Sequence, residues 1–271
     1  MFFQYNVLFF LIIIYNKFEV FVMKIIIGIV PAVKKNLDNP YEYKYVYLNS
    51  YSKMISDLDA IPFGLLLNNE EINEDALNMC DGFLFPGGKS LEKVHFSIIL
   101  HALKYNKPIL GICLGMQVIN YFSILKDILE SKNIEVNEAN LWNTFNEVQN
   151  DDIFKLKDIN IPNMHGYKIM KDEVECNLDN LSKSRHDIKI DKNSILYSIY
   201  KQDIINVLSL HLKQVTNVGS SLFVSARADD NVIEALEYKD NNNFIVGVQY
   251  HPELDDKLIF ERFINEVEKR V

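Results

Sequence analysis

Short apolar runs alternate with stretches of helical apolar spacing along the first half of the chain, and this alternation restricts the possible folds most. The apolar runs predict strands at residues 24–30, 60–66, 82–85 and 108–112. The stretches between and after them predict helices at residues 45–58, 72–79, 91–105 and 114–122, and residues 125–131 are compatible with a helix. Strands that alternate with helices indicate a parallel sheet covered on both faces.

The pattern changes toward β-structure in the second half. Strand-like runs occupy residues 186–190, 205–210, 222–228, 232–238 and 244–248. Turn-forming residues at 240–243 predict a hairpin between the last two runs, and a final helix is predicted over 256–269. Residues 133–163 are polar and predict no clear element. We therefore expect a single α/β domain over residues 23–271.

Residues 1–22 are strongly apolar and have no positive charge before their apolar run. The uncharged stretch at 7–15 is shorter than the roughly 20 residues of a membrane span, and a basic start and small-residue cleavage site are missing. Met23 opens a complete first strand. This favours Met23 as the natural start and 1–22 as an extension outside the domain. A membrane-associating segment and an ordinary N-terminal element are the alternatives.

Composition narrows the class of function. The 271 residues carry a net charge of −9 and contain no basic cluster, which argues against a nucleic-acid partner. The three cysteines, Cys80, Cys113 and Cys176, lack the spacing of a disulfide framework or a zinc finger. They fit a reducing compartment, so we expect a cytoplasmic protein. Cys80 and Cys176 are interpreted as structural.

Residues 108–117 (PILGICLGMQ) contain the sharpest local motif. A buried strand runs into G-x-C-x-G and directly into a helix, which is typical of a strained nucleophile turn. Gly111 and Gly115 leave room for the turn, and the helix N-terminus favours a thiolate on Cys113. The N–H of Leu114 would face the developing oxyanion. The alternative is a buried structural cysteine.

Two further motifs complete a candidate active site. A strand ending in VQYHPE presents His251 as the base for the thiol and Glu253 as the group that orients the imidazole. The earlier FPGG turn offers the N–H groups of Gly87 and Gly88 to an oxyanion from the other side. Taken alone, the histidine could be structural and the glycines an ordinary turn.

The FPGG, GICLGMQ and VQYHPE segments, in this order, resemble the class I glutamine amidotransferase-like superfamily. An α/β-hydrolase would place its acid before its histidine, whereas Glu253 follows His251. Within the superfamily the sequence is most similar to the γ-glutamyl-γ-aminobutyrate hydrolase, or C26 peptidase-like, branch. The segments HDIKI at 186–190, VLSLH at 207–211 and SARADD at 225–230 carry this likeness.

The resemblance implies a flavodoxin-like parallel sheet with helices on both faces and an added β-hairpin region. It implies a γ-glutamyl thioester on Cys113, then hydrolysis, without a metal or organic cofactor. Gln117 and the turn of Ser209, Leu210 and His211 match positions that hold the amino-acid end of the substrate.

The sequence departs from the branch on the side of the leaving amine. The usual insertion after the Gly-Gly turn is missing, since Cys113 follows Gly88 by only 25 positions. The family's asparagine is Leu208 here, and its second histidine and glutamine are Leu212 and Lys213. We therefore expect broad tolerance for the amine or access by a partner protein.

Three functions remain open at this stage. The first is a free-standing hydrolase of a small γ-glutamyl amide, which could also form a homo-oligomer. The second is a glutaminase module that supplies ammonia to a synthase partner. The third is a non-catalytic binding relative, against which the intact Cys113, His251 and Glu253 argue. No nucleic acid and no stable membrane span are expected.

Overall fold

The computed structural model describes residues 24–34, 44–68, 71–159, 165–240 and 242–271. The strands in this part of the chain are β1 (Ile26–Ile29), β2 (Ala32–Lys34), β3 (Lys44–Val46), β4 (Ile61–Gly64), β5 (Gly82–Phe85), β6 (Ile109–Ile112), β7 (Lys157–Asp158), β8 (Arg185–Ile190), β9 (Ile204–Leu208), β10 (Lys213–Gln214), β11 (Leu222–Ala228), β12 (Ile233–Tyr238) and β13 (Ile245–Val248). The α-helices are α1 (Asn49–Ser56), α2 (Glu74–Met79), α3 (Lys93–Tyr105), α4 (Leu114–Ser131), α5 (Glu138–Val148), α6 (Tyr167–Met170), α7 (Leu178–Lys183), α8 (Ile195–Tyr200) and α9 (Leu258–Glu268).

Among the described residues, nine strands form one mixed sheet in the order β4-β1-β5-β6-β13-β12-β11-β8-β9. The first five are mutually parallel, in the order 2-1-3-4-5 of flavodoxin-like folds. The remaining four are antiparallel to their neighbours. The α/β flavodoxin-like prediction is thus confirmed, including the hairpin of β12 and β13. The antiparallel region is a four-stranded extension of the same sheet.

Three adjacent parallel strands, β5, β6 and β13, end at nearly the same level. Phe85 pairs with Gly111, which pairs with Gly247, and Ile112 pairs with Val248. Because parallel strands point the same way, the segments that follow them meet at one edge of the sheet. These segments carry the FPGG turn, the cysteine motif and the HPE sequence.

Both faces of the parallel strands are covered, which explains their continuous apolar runs. Successive strand side chains point to opposite faces. Leu110 and Ile112 belong to the buried cluster that contains Phe260 of α9, whereas Ile109 belongs to the cluster that contains Met116 of α4. Each fully buried side chain of this size contributes roughly 1.5–3 kcal/mol to stability.

Several predicted boundaries are wrong for identifiable reasons. Helix α4 runs without a break to Ser131 and joins the predicted helix at 114–122 to the helical stretch at 125–131, because Ser123, Ile124 and Leu125 are buried. The predicted helix over 45–58 divides into β3 and α1. Strand β9 stops at Leu208 because the Ser209 N–H donates to the Ser184 carbonyl at 2.8 Å instead of to the sheet.

The polar segment 133–163, for which no element was predicted, contains α5, capped by the Asn137 side chain. The interpretation of residues 1–22 falls outside the described residues. Of the helices that are described, none combines the length and apolar character needed to cross a membrane.

Replacing Gly115 with alanine should destabilise the protein by roughly 3 kcal/mol or more. An added Cβ would lie 2.2 Å from the Phe85 carbonyl oxygen, so α4 would have to move from β5. Gly64→Ala is the control, because its Cβ would meet the Tyr47 ring at 3.1 Å and the ring can adjust. Urea unfolding measures both changes, and equal losses would contradict the close-approach argument.

Candidate active site

Cys113 occupies a strained backbone position between β6 and α4. Its φ is 53° and its ψ −103°, a combination that is rare for residues with a Cβ. Its N–H donates to the Val248 carbonyl at 2.7 Å, and its carbonyl accepts the Gln117 N–H at 3.3 Å. The side chain is partly exposed, whereas that of Cys80 is buried. The turn therefore holds the sulfur at the edge where β5, β6 and β13 end.

The spacing of the glycines in this motif reflects contacts between backbones. A Cβ on Gly111 would lie 2.7 Å from the carbonyl carbon and oxygen of Gly115. A Cβ on Gly115 would in turn lie 2.2 Å from the carbonyl oxygen of Phe85 on β5. The G-x-C-x-G pattern thus lets the first turn of α4 lie directly on two strands.

His251 and Glu253 lie at the end of β13. Nδ1 of His251 is 2.7 Å from Oε1 of Glu253, and the His251 N–H donates to the Leu208 carbonyl at 2.9 Å. A Cβ placed on Gly87 would lie 3.1 Å from Cε1 of His251 and 3.5 Å from Cβ of Cys113. The three predicted catalytic side chains are therefore brought together beside the FPGG turn.

Electrostatics favour a positively charged ring at His251. Burial by itself would lower the pKa of His251, but the Glu253 carboxylate and the nearby Cys113 outweigh it. The pKa of His251 consequently lies well above its ordinary value. With Nδ1 held by Glu253, Nε2 is the ring nitrogen left to exchange a proton with the thiol. This arrangement suits a thiolate–imidazolium pair.

Tyr51 of α1 is a site residue that sequence analysis did not identify. Its hydroxyl accepts the Gly87 N–H at 3.0 Å and lies beside the Glu253 carboxylate. Burial, with the Glu253 charge added, raises the pKa of Tyr51 well above its ordinary value. No local motif marks this tyrosine, because its partners are distant in sequence.

The N–H groups predicted to bind an oxyanion differ in whether they already have a hydrogen-bond acceptor. The Gly87 N–H is already bound to Tyr51. Gly88 lies against Leu114, since a Cβ on Gly88 would be 2.9 Å from Cδ2 of Leu114. Leu114 is the first residue of α4, so its N–H has no acceptor within the helix. Gly88 and Leu114 thus flank the cysteine with backbone groups suited to an oxyanion.

Gln117 follows Cys113 by one helical turn and is nearly buried. Its Nε2 donates to Oε1 of Gln249 at 3.0 Å. The Gln249 N–H donates to the Glu234 carbonyl at 2.8 Å, which connects this amide pair to β12. Gln249 was not anticipated from the sequence.

The Ser209–Leu210–His211 turn lies next to the site through its backbone. Leu208, which precedes the turn, carries the carbonyl that accepts the His251 N–H. Ser209 and His211 are buried, and Leu210 is partly exposed. Nε2 of His211 lies 3.4 Å from Oε1 of Glu234.

Two pockets flank the Leu114 side chain. The first lies at the carboxyl ends of β1 and β5, where the strand order reverses, and it is mainly apolar. Its lining includes Val30, Pro31, Val46, Leu48, Gly88 and Lys89.

The second pocket contains Gln117 and is walled by α5 and the segment after it. Its lining includes Lys89, Gln117, Tyr121, Phe145, Gln149 and Phe154. The segment for which no element was predicted therefore supplies a wall of the candidate site.

Of the departures, Lys213 belongs to β10, which pairs with β7, and Leu212 directly precedes β10. Nζ of Lys213 lies 2.7 Å from Oδ1 of Asp158, and the Leu212 carbonyl accepts the Ile159 N–H at 3.2 Å. Lys213 is thus engaged with an exposed carboxylate on β7.

Cys113 should react with iodoacetamide before the other two thiols near neutral pH. It stands at a helix N-terminus beside the positive ring of His251, whereas burial raises the pKa of Cys80 to about 11. Peptide mass spectrometry at short reaction times measures the order, with exposed Cys176 as the internal reference and Cys113→Ser as the control. Earlier labelling of Cys80 or Cys176 would contradict the assignment.

Comparison with known proteins identifies similar chains. A glutamine amidotransferase-like protein from Rickettsia prowazekii, RP404, is 28% identical, with 85% of this chain and 91% of that protein covered. A CTP synthase from Borreliella afzelii is 29% identical over 88% of this chain, but the match spans only 43% of that enzyme.

A similar fold occurs in the glutaminase domain, with bound acivicin, of a CTPS from Trypanosoma brucei. The TM-score is 0.59 at 20% identity, with 91% of this chain and 94% of that domain covered. The sequence model of the peptidase C26 family matches residues 92–253, which include the candidate nucleophile, base and acid. The chain therefore belongs to the peptidase C26 family, within the class I glutamine amidotransferase-like superfamily.

Proposed function

We propose that this protein hydrolyses a γ-glutamyl amide bond through a thioester on Cys113. One observation carries the proposal: a strained cysteine at a helix N-terminus lies beside the same glycine as a histidine whose Nδ1 is 2.7 Å from a buried glutamate. Membership of the peptidase C26 family supports the same chemistry.

The reaction proceeds in two steps. The Cys113 thiolate attacks the γ-carbonyl carbon, and the N–H groups of Gly88 and Leu114 stabilise the oxyanion. The His251 imidazolium gives its proton to the amide nitrogen as the C–N bond breaks, and the amine leaves. His251 then takes a proton from water, whose oxygen attacks the thioester. Glutamate leaves and the thiol is restored.

The two pockets suggest how the substrate lies. The pocket containing Gln117 suits the polar amino-acid end of the glutamyl group, because Gln117, Gln149 and Lys89 are part of its lining and Gln117 lies one helical turn after Cys113. The apolar pocket at the ends of β1 and β5 then receives the leaving amine. Lys89 borders both pockets and places one positive charge between them.

A glutaminase module that supplies ammonia to a synthase is the second candidate. The match to one part of a CTP synthase favours it, since 88% of this chain aligns with 43% of that enzyme. A module of this kind would form a stable hetero-complex, and its glutamine hydrolysis would rise when the partner is added. A free-standing hydrolase would show full activity alone.

Purified protein should release glutamate from several γ-glutamyl amides, with broad tolerance for the amine. The apolar pocket has few polar groups that could reject substrate analogues. Hydrogen bonds to a substrate discriminate between analogues more strongly than apolar contacts do. A panel of glutamine, γ-glutamyl-γ-aminobutyrate and γ-glutamyl alkylamides measures this through kcat/KM, with Cys113→Ser as the inactive control. Strong selectivity for γ-glutamyl-γ-aminobutyrate would contradict the expected breadth, and no release from any amide would overturn the proposal.

His251→Ala should lower kcat/KM by about 10³-fold or more, and Glu253→Gln by a smaller factor, because His251 moves the proton and Glu253 orients it. The Glu253 charge holds the pKa of His251 up, so its removal lowers that pKa. The imidazolium form exists only below the His251 pKa. The alkaline limb of the pH–rate profile should therefore move to lower pH in Glu253→Gln.

His101→Gln is the control for these variants, because His101 is a buried histidine on α3 rather than at the site. A greater loss for Glu253→Gln than for His251→Ala, with the fold intact, would reverse the two roles. An unchanged alkaline limb of the pH–rate profile in Glu253→Gln would contradict the idea that the Glu253 charge raises the pKa of His251.

A further inference from the structure

Three histidines and one glutamate form a buried group in the antiparallel half of the protein. His186 lies on β8, Glu234 on β12, His211 after β9 and His165 just before α6. Each residue offers one ligand atom, and the four atoms lie within 4.8 Å of one another. The group contains none of the three proposed catalytic residues.

Three ring nitrogens converge on the same carboxylate oxygen. Oε1 of Glu234 lies 3.4 Å from Nδ1 of His165, 3.5 Å from Nε2 of His186 and 3.4 Å from Nε2 of His211. These contacts are longer than ordinary N–H···O hydrogen bonds. Among the described residues, both Glu234 oxygens and Nε2 of His186 and of His211 are buried without a hydrogen-bond partner.

The opposite nitrogen of each ring is held by an oxygen acceptor. Nε2 of His165 lies 3.1 Å from Oδ2 of Asp230. Nδ1 of His186 lies 3.2 Å from the Asp187 carbonyl, and Nδ1 of His211 lies 3.1 Å from the Lys213 carbonyl. Since a carbonyl or carboxylate can only accept, these nitrogens carry the hydrogen in neutral rings.

When all three rings are neutral, the nitrogens that face Glu234 are therefore their lone-pair ends. Ser209 adds its Oγ at 3.4 Å from Nδ1 of His165. Three lone pairs and a carboxylate that point at one another repel, and burial strengthens the repulsion. A metal ion between them, or a proton on one ring, removes the repulsion.

We propose that His165, His186, His211 and Glu234 bind one Zn²⁺ ion in a closed structural site. Zinc bonds of about 2.0–2.1 Å in a tetrahedron place ligand atoms roughly 3.3–3.4 Å apart. The three distances to Oε1 of Glu234, 3.4, 3.5 and 3.4 Å, are close to three edges of such a tetrahedron. Separations within the group extend to 4.8 Å, so the histidine rings must draw together around the ion when it binds. Imidazole nitrogen suits zinc, and a carboxylate or carbonyl behind each histidine is the usual outer shell of a zinc site.

The metal would tie together segments that position the catalytic residues. His211 follows Leu208, whose carbonyl accepts the His251 N–H, and Glu234 accepts the Gln249 N–H through its own carbonyl. With four protein ligands the ion has no open position for substrate. The site thus acts on structure, and the proposal stands whether or not the enzyme hydrolyses γ-glutamyl amides. The imidazole of His211 would then bind metal, leaving the backbone of its turn for the substrate.

Metal binding to the full chain tests the proposal directly. The double variant Cys113→Ser/Cys176→Ser serves as the parent, because the partly exposed and the exposed thiol would otherwise bind added metal. After chelator treatment and dialysis, calorimetric titration with ZnCl₂ should show one equivalent bound, and the melting temperature should rise with zinc. Co²⁺ in place of zinc should give the visible absorption of tetrahedral nitrogen and oxygen coordination.

Ligand variants should separate this site from adventitious binding. His186→Gln and Glu234→Gln should weaken zinc binding by about 100-fold or more, and Asp230→Asn, which keeps all four ligands, by about 10- to 100-fold. His101→Gln is the matched control, since His101 is also buried with an unpartnered Nε2 but stands apart from the group.

Two outcomes would overturn the proposal. One is a parent protein that binds no stoichiometric zinc and melts at the same temperature with and without it, which would mean that protons compensate Glu234. The other is unchanged zinc affinity in the folded variants. If both ligand variants fail to fold, the parent titration and Asp230→Asn still decide the question.

Discussion

The ladder of β5, β6 and β13 is the constraint on which the active site depends. It sets Phe85, Gly111 and Gly247 at one level, so the segments that follow these strands begin side by side. Each strand residue advances the chain by about 3.3 Å, and a slip of one residue reverses the side-chain direction. Such a slip would move Cys113 out of reach of His251. The Cys113 N–H bond to Val248 holds the register at this point.

The charges at the site are buried, and their arrangement makes that burial tolerable. Glu253 is close to the His251 ring and to the Tyr51 hydroxyl, which in turn accepts the Gly87 N–H. An isolated carboxylate in this position would be costly, and pairing with the His251 ring offsets part of that cost. The same contacts orient the imidazole toward Cys113, so the groups that stabilise the charge also align the nucleophile and base.

The antiparallel half of the sheet supports the catalytic half. The backbone of Glu234 receives the Gln249 N–H, and Leu208 at the end of β9 receives the His251 N–H. The buried side chains of this antiparallel half include a polar group of three histidines around the Glu234 carboxylate. A core of this kind specifies its geometry only when every member is satisfied. A metal ion would satisfy it and would fix the loop beside the active site.

The sequence by itself determined the parallel α/β class, most strand positions and the candidate nucleophile turn, because these depend on local apolar period and on contacts within a few residues. The HPE segment was identifiable for the same reason. Only the tertiary structure decided the roles of Tyr51 and Gln249, the wall formed by α5 and the grouping of histidines around Glu234. These contacts join residues far apart in the chain, such as Tyr51 and Gly87 at a separation of 36. Such pairs leave no periodic trace, because only the packing of the sheet and its helices brings them together.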